Sequence, residues 1–109
     1  VSLLVKEEIK SPWTILHLKG KLDVTNSSQL EEVFHRCFHE GKSDIAIDFE
    51  ELTYLSSSGI RILLAQHKKF IEQNRRFVLC RIPAHILEII ELAGFDRVFF
   101  IQKTLSDLK

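Results

Sequence analysis

Residues 2–9 (SLLVKEEI) and 13–19 (WTILHLK) are rich in strand-forming residues, and Lys10-Ser11-Pro12 between them is a turn signal. This pattern predicts an antiparallel hairpin, with Gly20 ending the second strand and GKLDVTN following as a loop. From Ser27 the period changes. Leu30, Val33, Phe34, Cys37 and Phe38 recur at i, i+3, i+4, i+7 and i+8, the stripe of an amphipathic helix. Ser27 or Ser28 supplies an N-cap, Glu31 and Glu32 fall in the first turn, and Gly41 is the stop. Residues 44–49 (DIAIDF) then alternate, with Ile45, Ile47 and Phe49 on one face and Ala46 and Asp48 on the other.

The segment EELTYL reads as a loop leading to Ser56-Ser57-Ser58-Gly59, where helical spacing resumes. Ile60, Leu63, Leu64, His67, Phe70 and Ile71 line one face of this second helix, which Gln73 and Asn74 end. Residues 77–80 (FVLC) make a buried strand. Pro83 opens a third helix at the first-turn position it tolerates best, with Ile86, Leu87, Ile89, Ile90 and Leu92 as its apolar positions. Gly94 stands where a left-handed cap belongs. Residues 98–101 (VFFI) are the last strand, and TLSDLK adds a turn of helix. The predicted order is β-β-α-β-α-β-α-β. Right-handed crossovers make the strands that alternate with helices parallel, and the hairpin adds an antiparallel edge. The fold class is α/β with a mixed sheet packed with helices.

Length and composition narrow this further. A chain of 109 residues, 45% hydrophobic and 28% charged, is sized for one core, so residues 1–109 are expected to form one domain. Fifteen Lys and Arg balance fifteen Asp and Glu. A net charge of zero removes the field that a general nucleic-acid or anionic-membrane binder uses. No apolar run approaches the ~20 residues of a membrane span, and no signal peptide opens the chain. The expectation is a cytoplasmic protein with no cofactor, no direct nucleic-acid contact and no membrane contact. Cys37 and Cys80 form no C-x-x-C pair and read as free thiols. His35 and His39 have the i,i+4 spacing of a metal pair but lack the H-E-x-x-H order, so no metal site is expected.

The chemistry concentrates at Leu55-Ser56-Ser57-Ser58-Gly59, where a strand passes into a helix. Such a sequence is already a good helix start, since serine caps and glycine turns sharply. Neither G-x-x-x-x-G-K-[ST] nor G-x-G-x-x-G occurs, which excludes the common phosphate cradles. The residue two before Ser57 is Leu55, so the G-x-S-x-G elbow of a serine hydrolase is absent too. An aspartyl receiver does not fit a chain that opens with a hairpin. What does fit is phosphorylation. A serine in the first turn has free N–H groups beside it and the positive end of the helix dipole. Residues 40–51 carry a balance of −4 and residues 61–76 one of +4, so an added phosphate would act on a surface divided by charge.

The loop Gly20-Lys21-Leu22-Asp23, the strand IAIDF, the segment EELTYLSSSGIRILL and the late ELAGFDRVF together resemble a STAS domain of the anti-sigma-factor antagonist type, over nearly the whole chain. The resemblance implies a regulatory binding protein and not an enzyme. In that family the unphosphorylated form binds an anti-sigma factor that is also a serine kinase, and so releases a sigma factor for transcription, and the resemblance implies the same here. The kinase phosphorylates the antagonist at the start of the second helix, and a metal-dependent serine phosphatase reverses this. In that family the motif usually reads D-S-[ST]-G, so Ser57 falls at the acceptor position, with Ser56 and Ser58 as alternatives. Ser56 departs from the usual aspartate, which removes one negative charge and adds a second hydroxyl. The residues implied in partner binding are Asp23, Thr25, Asn26, Asp48, Ser56, Ser58 and Gly59. Asp23 and Asp48 are also suited simply to fixing their loops by bonds to backbone N–H groups, and Thr25 and Asn26 to helix capping. A second reading is a STAS adaptor of a lipid-transport or stressosome-like assembly, never phosphorylated, with the basic stretch from Arg61 to Arg76 as its docking face.

Overall fold

The computed structural model describes residues 2–109; Val1, the first residue of the expected domain, lies outside the described residues. Two strands open the chain, β1 (Leu3–Lys10) and β2 (Trp13–Leu22). Then follow α1 (Ser27–Glu40), β3 (Asp44–Leu55), α2 (Ser57–Glu72), β4 (Phe77–Cys80), α3 (Ala84–Leu92), β5 (Phe100–Gln102) and a 3-10 turn at Leu105–Asp107. The order is the one the hydrophobic pattern predicts. The strands lie side by side as β1-β2-β3-β4-β5, the first pair antiparallel and the rest parallel.

Alternation along the strands divides the burial. Leu16, Leu18, Ile45, Ile47, Phe49, Phe77 and Leu79 form one core with Leu30 and Phe34 of α1, Leu63 and Phe70 of α2, and Ile86 and Ile90 of α3. The three helices therefore cover one face of the sheet. On the outer face Trp13, Ile15, Ala46, Val78 and Cys80 make a smaller cluster, and Leu105 and Leu108 of the C-terminal segment pack against it.

Several boundaries differ from the sequence expectation, each for a tertiary reason. Gly20 does not end β2. It sits at φ 104, next to a shift in the β2–β3 register, and a Cβ there would lie 2.3 Å from the Ser2 carbonyl oxygen. The strand runs on to Leu22, and EELTYL is not a loop but the second half of β3, paired with β2 through Leu52↔Gly20 and Leu55↔Leu22. Gly41 is extended, so it does not end α1 by a left-handed cap. Instead Arg75, itself buried, donates Nη1 to the Phe38 carbonyl (2.9 Å) and Nη2 to the Cys37 carbonyl (3.2 Å), taking up the free carbonyls of the last turn. Asn26, not Ser27 or Ser28, is the N-cap of α1, and the first turn holds no acidic residue because Glu31 and Glu32 lie beyond it.

The third helix starts at Ala84 with Pro83 as its N-cap, one residue later than the pattern suggests. At its end Gly94 is left-handed as expected, with Gly94 N–H on the Glu91 carbonyl and Phe95 N–H on the Ile90 carbonyl. Asn74 ends α2 in the same way. Val98 and Phe99 precede β5 instead of forming it, while Ile71 and Leu92 face solvent and Gln66 takes a buried place on α2.

Candidate functional site

The serine cluster is held by the strand pair below it. Leu22 and Leu55, the last residues of β2 and β3, are register partners, and the Ser56 N–H donates to the Leu22 carbonyl at 2.9 Å. Two chain exits are thereby joined: the turn at Asp23–Asn26 and the start of α2. Ser56 is extended and caps the helix, its Oγ accepting from the Gly59 N–H at 3.1 Å. Ser57 is the first residue of α2 and is exposed, whereas Ser58 is half-buried. The three hydroxyls are thus distinct: one is committed to a cap, one is open and one is partly covered.

Gly59 explains why the helix sits so close. A Cβ built on it would fall 2.8 Å from Leu22 Cγ and 2.8 Å from Leu55 Cδ1, both in the core. Gly59→Ala is accordingly expected to destabilise the protein by about 1–3 kcal/mol through overpacking. Urea unfolding measures this, and an unchanged midpoint would show that α2 can move away freely. This burial leaves Gly59 as a packing residue whose backbone, not its surface, shapes the site.

Across the junction, Asp23 Oδ1 accepts from the Thr25 N–H (2.9 Å) and the Thr25 hydroxyl (2.5 Å). These bonds, the hydroxyl first, hold the Asp23 carboxyl below its ordinary range. Asn26 is only 6% exposed. Its Oδ1 accepts from Asp23 N–H, and its Nδ2 donates to the Lys21 carbonyl and to Ser2 Oγ. Asn26 is therefore a latch on the turn. Val24 and Tyr54 are exposed, the first beside Asp23 in the turn and the second one residue before Leu55.

Asp48 is the residue whose placement differs most. It does not end β3 but is the fifth residue of a twelve-residue strand. Seven strand positions separate it from Leu55, roughly 20 Å at the usual strand rise. The residue is 4% exposed and its side chain points to the outer face. There it accepts from Arg81 Nε (2.9 Å) and Nη2 (2.6 Å), from His17 Nδ1 (2.6 Å) and from the Glu50 N–H. His17 in turn meets Glu8 through Nε2 at 2.8 Å, and Arg81 reaches Glu50 at 3.0 Å. One chain of ion pairs therefore ties β1, β2, β3 and the end of β4 together. Nothing in the sequence marks His17, Asp48 and Arg81 as partners, because only the strand register places them side by side.

Titration follows from these contacts. Burial alone would raise the Asp48 carboxyl, but the bonds from Arg81 and His17 carry it below its ordinary range. Burial would lower His17, yet its bonds to Glu8 and Asp48 carry it above 6.5. A base whose folded pKa is raised stabilises the fold fully below its unfolded pKa, and that contribution is lost as pH rises through the folded value. Stability is therefore expected to decline as pH climbs from about 6.5 through the raised folded value. His17→Gln should flatten this slope, which unfolding series at several pH values would reveal.

Much of the charge division read from the sequence is internal. Asp44 binds Arg76, and Asp48 and Glu50 bind Arg81, while Arg75 is spent on the end of α1. Three acids of the acidic stretch are thus paired by arginines at the two ends of β4, and the basic stretch is in part structural. Cys37 and Cys80 are free, and burial pushes both thiols up to about 11, which leaves them protonated. The His35 and His39 rings meet at a tilt with their centroids 4.3 Å apart, and among the described residues no group of three or more His, Cys, Asp or Glu side chains is placed to hold a metal. No helix of the described residues is long and apolar enough to cross a membrane.

A mixed five-stranded sheet with helices on one face and a serine-capped helix start beside a turn together define a small α/β domain. The sequence profile of the STAS domain matches residues 3–108. The chain belongs to the STAS domain family, among the anti-sigma factor antagonists. BtrV of Bordetella bronchiseptica, whose name places it among those antagonists, is 30% identical over 82 residues, covering 75% of this chain and 71% of its own. An anti-sigma factor antagonist from Mycobacterium paratuberculosis superposes with a TM-score of 0.88 at 22% identity, over 97% of this chain and 90% of that one. SpoIIAA in its unphosphorylated form superposes at 0.81 with 18% identity, over 95% and 91%, and Bacillus SpoIIAA in its phosphorylated form at 0.73. At these identities the structures speak for the fold.

Proposed function

We propose that the chain is a phosphorylation-controlled partner switch. Unmodified, it binds an anti-sigma factor that is also a serine kinase, and the sigma factor held by that protein is released to direct transcription. Phosphate on Ser57 ends the complex, and a metal-dependent serine phosphatase restores it. All of this takes place in the cytoplasm. The observation that carries the reading is the exposure of Ser57 as the first residue of α2, between a committed Ser56 and a half-buried Ser58. The positive end of the α2 dipole favours an anion there. That Bacillus SpoIIAA exists in a phosphorylated form with this fold supports the reading further.

Asp23, Thr25 and the exposed faces of Ser56 and Ser58 form the surface offered to the partner, with Val24 and Tyr54 as its apolar contacts. Asn26 and Gly59 shape that surface from beneath. Asp48 serves it only by stiffening the sheet. The adaptor reading loses part of its motivation, since Arg75 and Arg76 of the basic stretch are committed to internal contacts. The test is a titration of the unmodified chain into the kinase-type anti-sigma factor of the same organism, with and without its sigma factor. Formation of a complex that displaces the sigma factor is the expected result, and no binding would remove the proposal.

A further inference from the structure

The sheet keeps one long edge open. Its outer strands are β5, three residues long, and β1, eight residues long with an unbroken register against β2. Two contacts fix the direction of the β1 backbone groups. The Ser2 carbonyl accepts from the Lys21 N–H at 2.6 Å, so the even-numbered residues address β2. The Leu3 carbonyl faces the other way and accepts from Gln29 Nε2 at 3.3 Å. By alternation the N–H and C=O groups of Val5, Glu7 and Ile9 point away from the sheet, and no strand among the described residues pairs with them. Such an edge is a template for a further strand. Ile9 on this edge is 76% exposed, an apolar side chain without cover.

The charges on β1 identify the strand that fits. Two copies related by a twofold axis perpendicular to the sheet would pair β1 with itself, antiparallel, about one central residue. Centred on Lys6, the pairing sets Lys6 against Lys6. Centred on Glu8, it sets Glu8 against Glu8 and Lys6 against Lys10. Centred on Glu7, it sets Lys6 of each copy against Glu8 of the other, on the outer face. Glu8 spends Oε1 on His17 and keeps Oε2 for this contact. On the helix-covered face the same register sets Ile9 against Val5, which already packs on the core. The two Glu7 carboxylates meet near the axis, each held by Arg36 of its own copy, so the charges there balance. Val5 opposes Ile9 and Glu7 opposes Glu7 as hydrogen-bonded pairs, so every open N–H and C=O finds a partner. We propose that the protein self-associates through β1 into a twofold dimer with one continuous sheet, in the register centred on Glu7. This surface includes none of the residues assigned to partner switching, so the two proposals stand apart.

A single strand pair is a small interface, so association is weak and the test spans about 10 µM to about 1 mM. Analytical ultracentrifugation of the unmodified chain is expected to show a reversible monomer–dimer equilibrium, tending to twice 12.7 kDa. Lys6→Glu and Glu8→Lys should each weaken the dimer at least ~10-fold, since each turns two attractions into two repulsions. An equimolar mixture of these two variants should dimerise like the parent, because acid then faces base at both ends of the pairing. Ile9→Pro removes an outward N–H and no bond to β2, so it should give a monomer with the parent's circular dichroism. A monomer throughout the range, a mixture of the two folded variants that stays monomeric, or a dimer indifferent to Ile9→Pro would each overturn the proposal.

Discussion

Ser57→Ala is expected to take up no phosphate from ATP in the presence of the cognate kinase, while Ser56→Ala and Ser58→Ala still do. The reason is geometric. The Ser56 Oγ already accepts from the Gly59 N–H, and Ser58 is partly covered, whereas Ser57 is open. Ser56→Ala should be less stable by about 1 kcal/mol, the usual loss of an N-cap, yet remain a substrate. Ser57→Asp should bind the anti-sigma factor at least ~10-fold more weakly, since a charge added at the proposed contact surface must be desolvated in the complex. Its thermal midpoint should equal or exceed that of the parent, because a carboxylate in the first turn suits the helix dipole. Intact-mass measurement, calorimetric titration and thermal melts read the three quantities separately. Phosphate on Ser57→Ala, or undiminished binding by Ser57→Asp, would sink the assignment.

The second large effect concerns Arg81. Removing it leaves the Asp48 carboxylate in a nearly closed position with only His17 and one backbone N–H as partners. Losing one partner of a fully buried pair costs ~3–5 kcal/mol; with His17 retained and Arg81 partly solvated, about 2 kcal/mol is expected for Arg81→Ala. Arg81 also sits at φ 53, a left-handed conformation that disfavours any side chain. Arg81→Gly should therefore lose about 1 kcal/mol less than Arg81→Ala despite breaking the same bonds. In the double variant Asp48→Ala, Arg81→Ala the losses should fall short of their sum, since no unpaired charge remains. Additive losses in denaturant unfolding would mean that the pair is only a surface contact. Because this network is remote from α2, Ser57 phosphorylation should survive in the same variants.

What was legible in the chain was local. Strand alternation at 44–49, the stripe of Leu30, Phe34 and Phe38, the proline and glycine around α3 and the cap at Ser56 all act within a few residues, and each is found as the pattern predicts or within a residue or two. The extended ends of β2 and β3 were not legible. Gly20 reads as a stop in sequence, and only the approach of the Ser2 carbonyl turns it into a bulge through which the strand continues. EELTYL has too few apolar residues to suggest a strand by itself; pairing with Lys19–Leu22 makes it one. Likewise Arg75 and Arg76 look like solvated charges until the fold brings the end of α1 and Asp44 against them.

By itself, then, the sequence determined the order of elements, most of the face each helix buries and the place of a serine run at a helix start. These follow from periodicity and capping, which need no knowledge of neighbours. Tertiary structure decided which polar groups are available. The β2–β3 register set His17 opposite Asp48, the turn after β4 brought Arg81 to Asp48, and the Leu22 carbonyl fixed Ser56 so that Ser57 alone stands clear. Such contacts join residues about thirty positions apart and depend on strand order and stagger. No local pattern encodes them, so Asp48, which reads as a partner contact, is in the folded protein the hub of a charge network on the other face of the sheet.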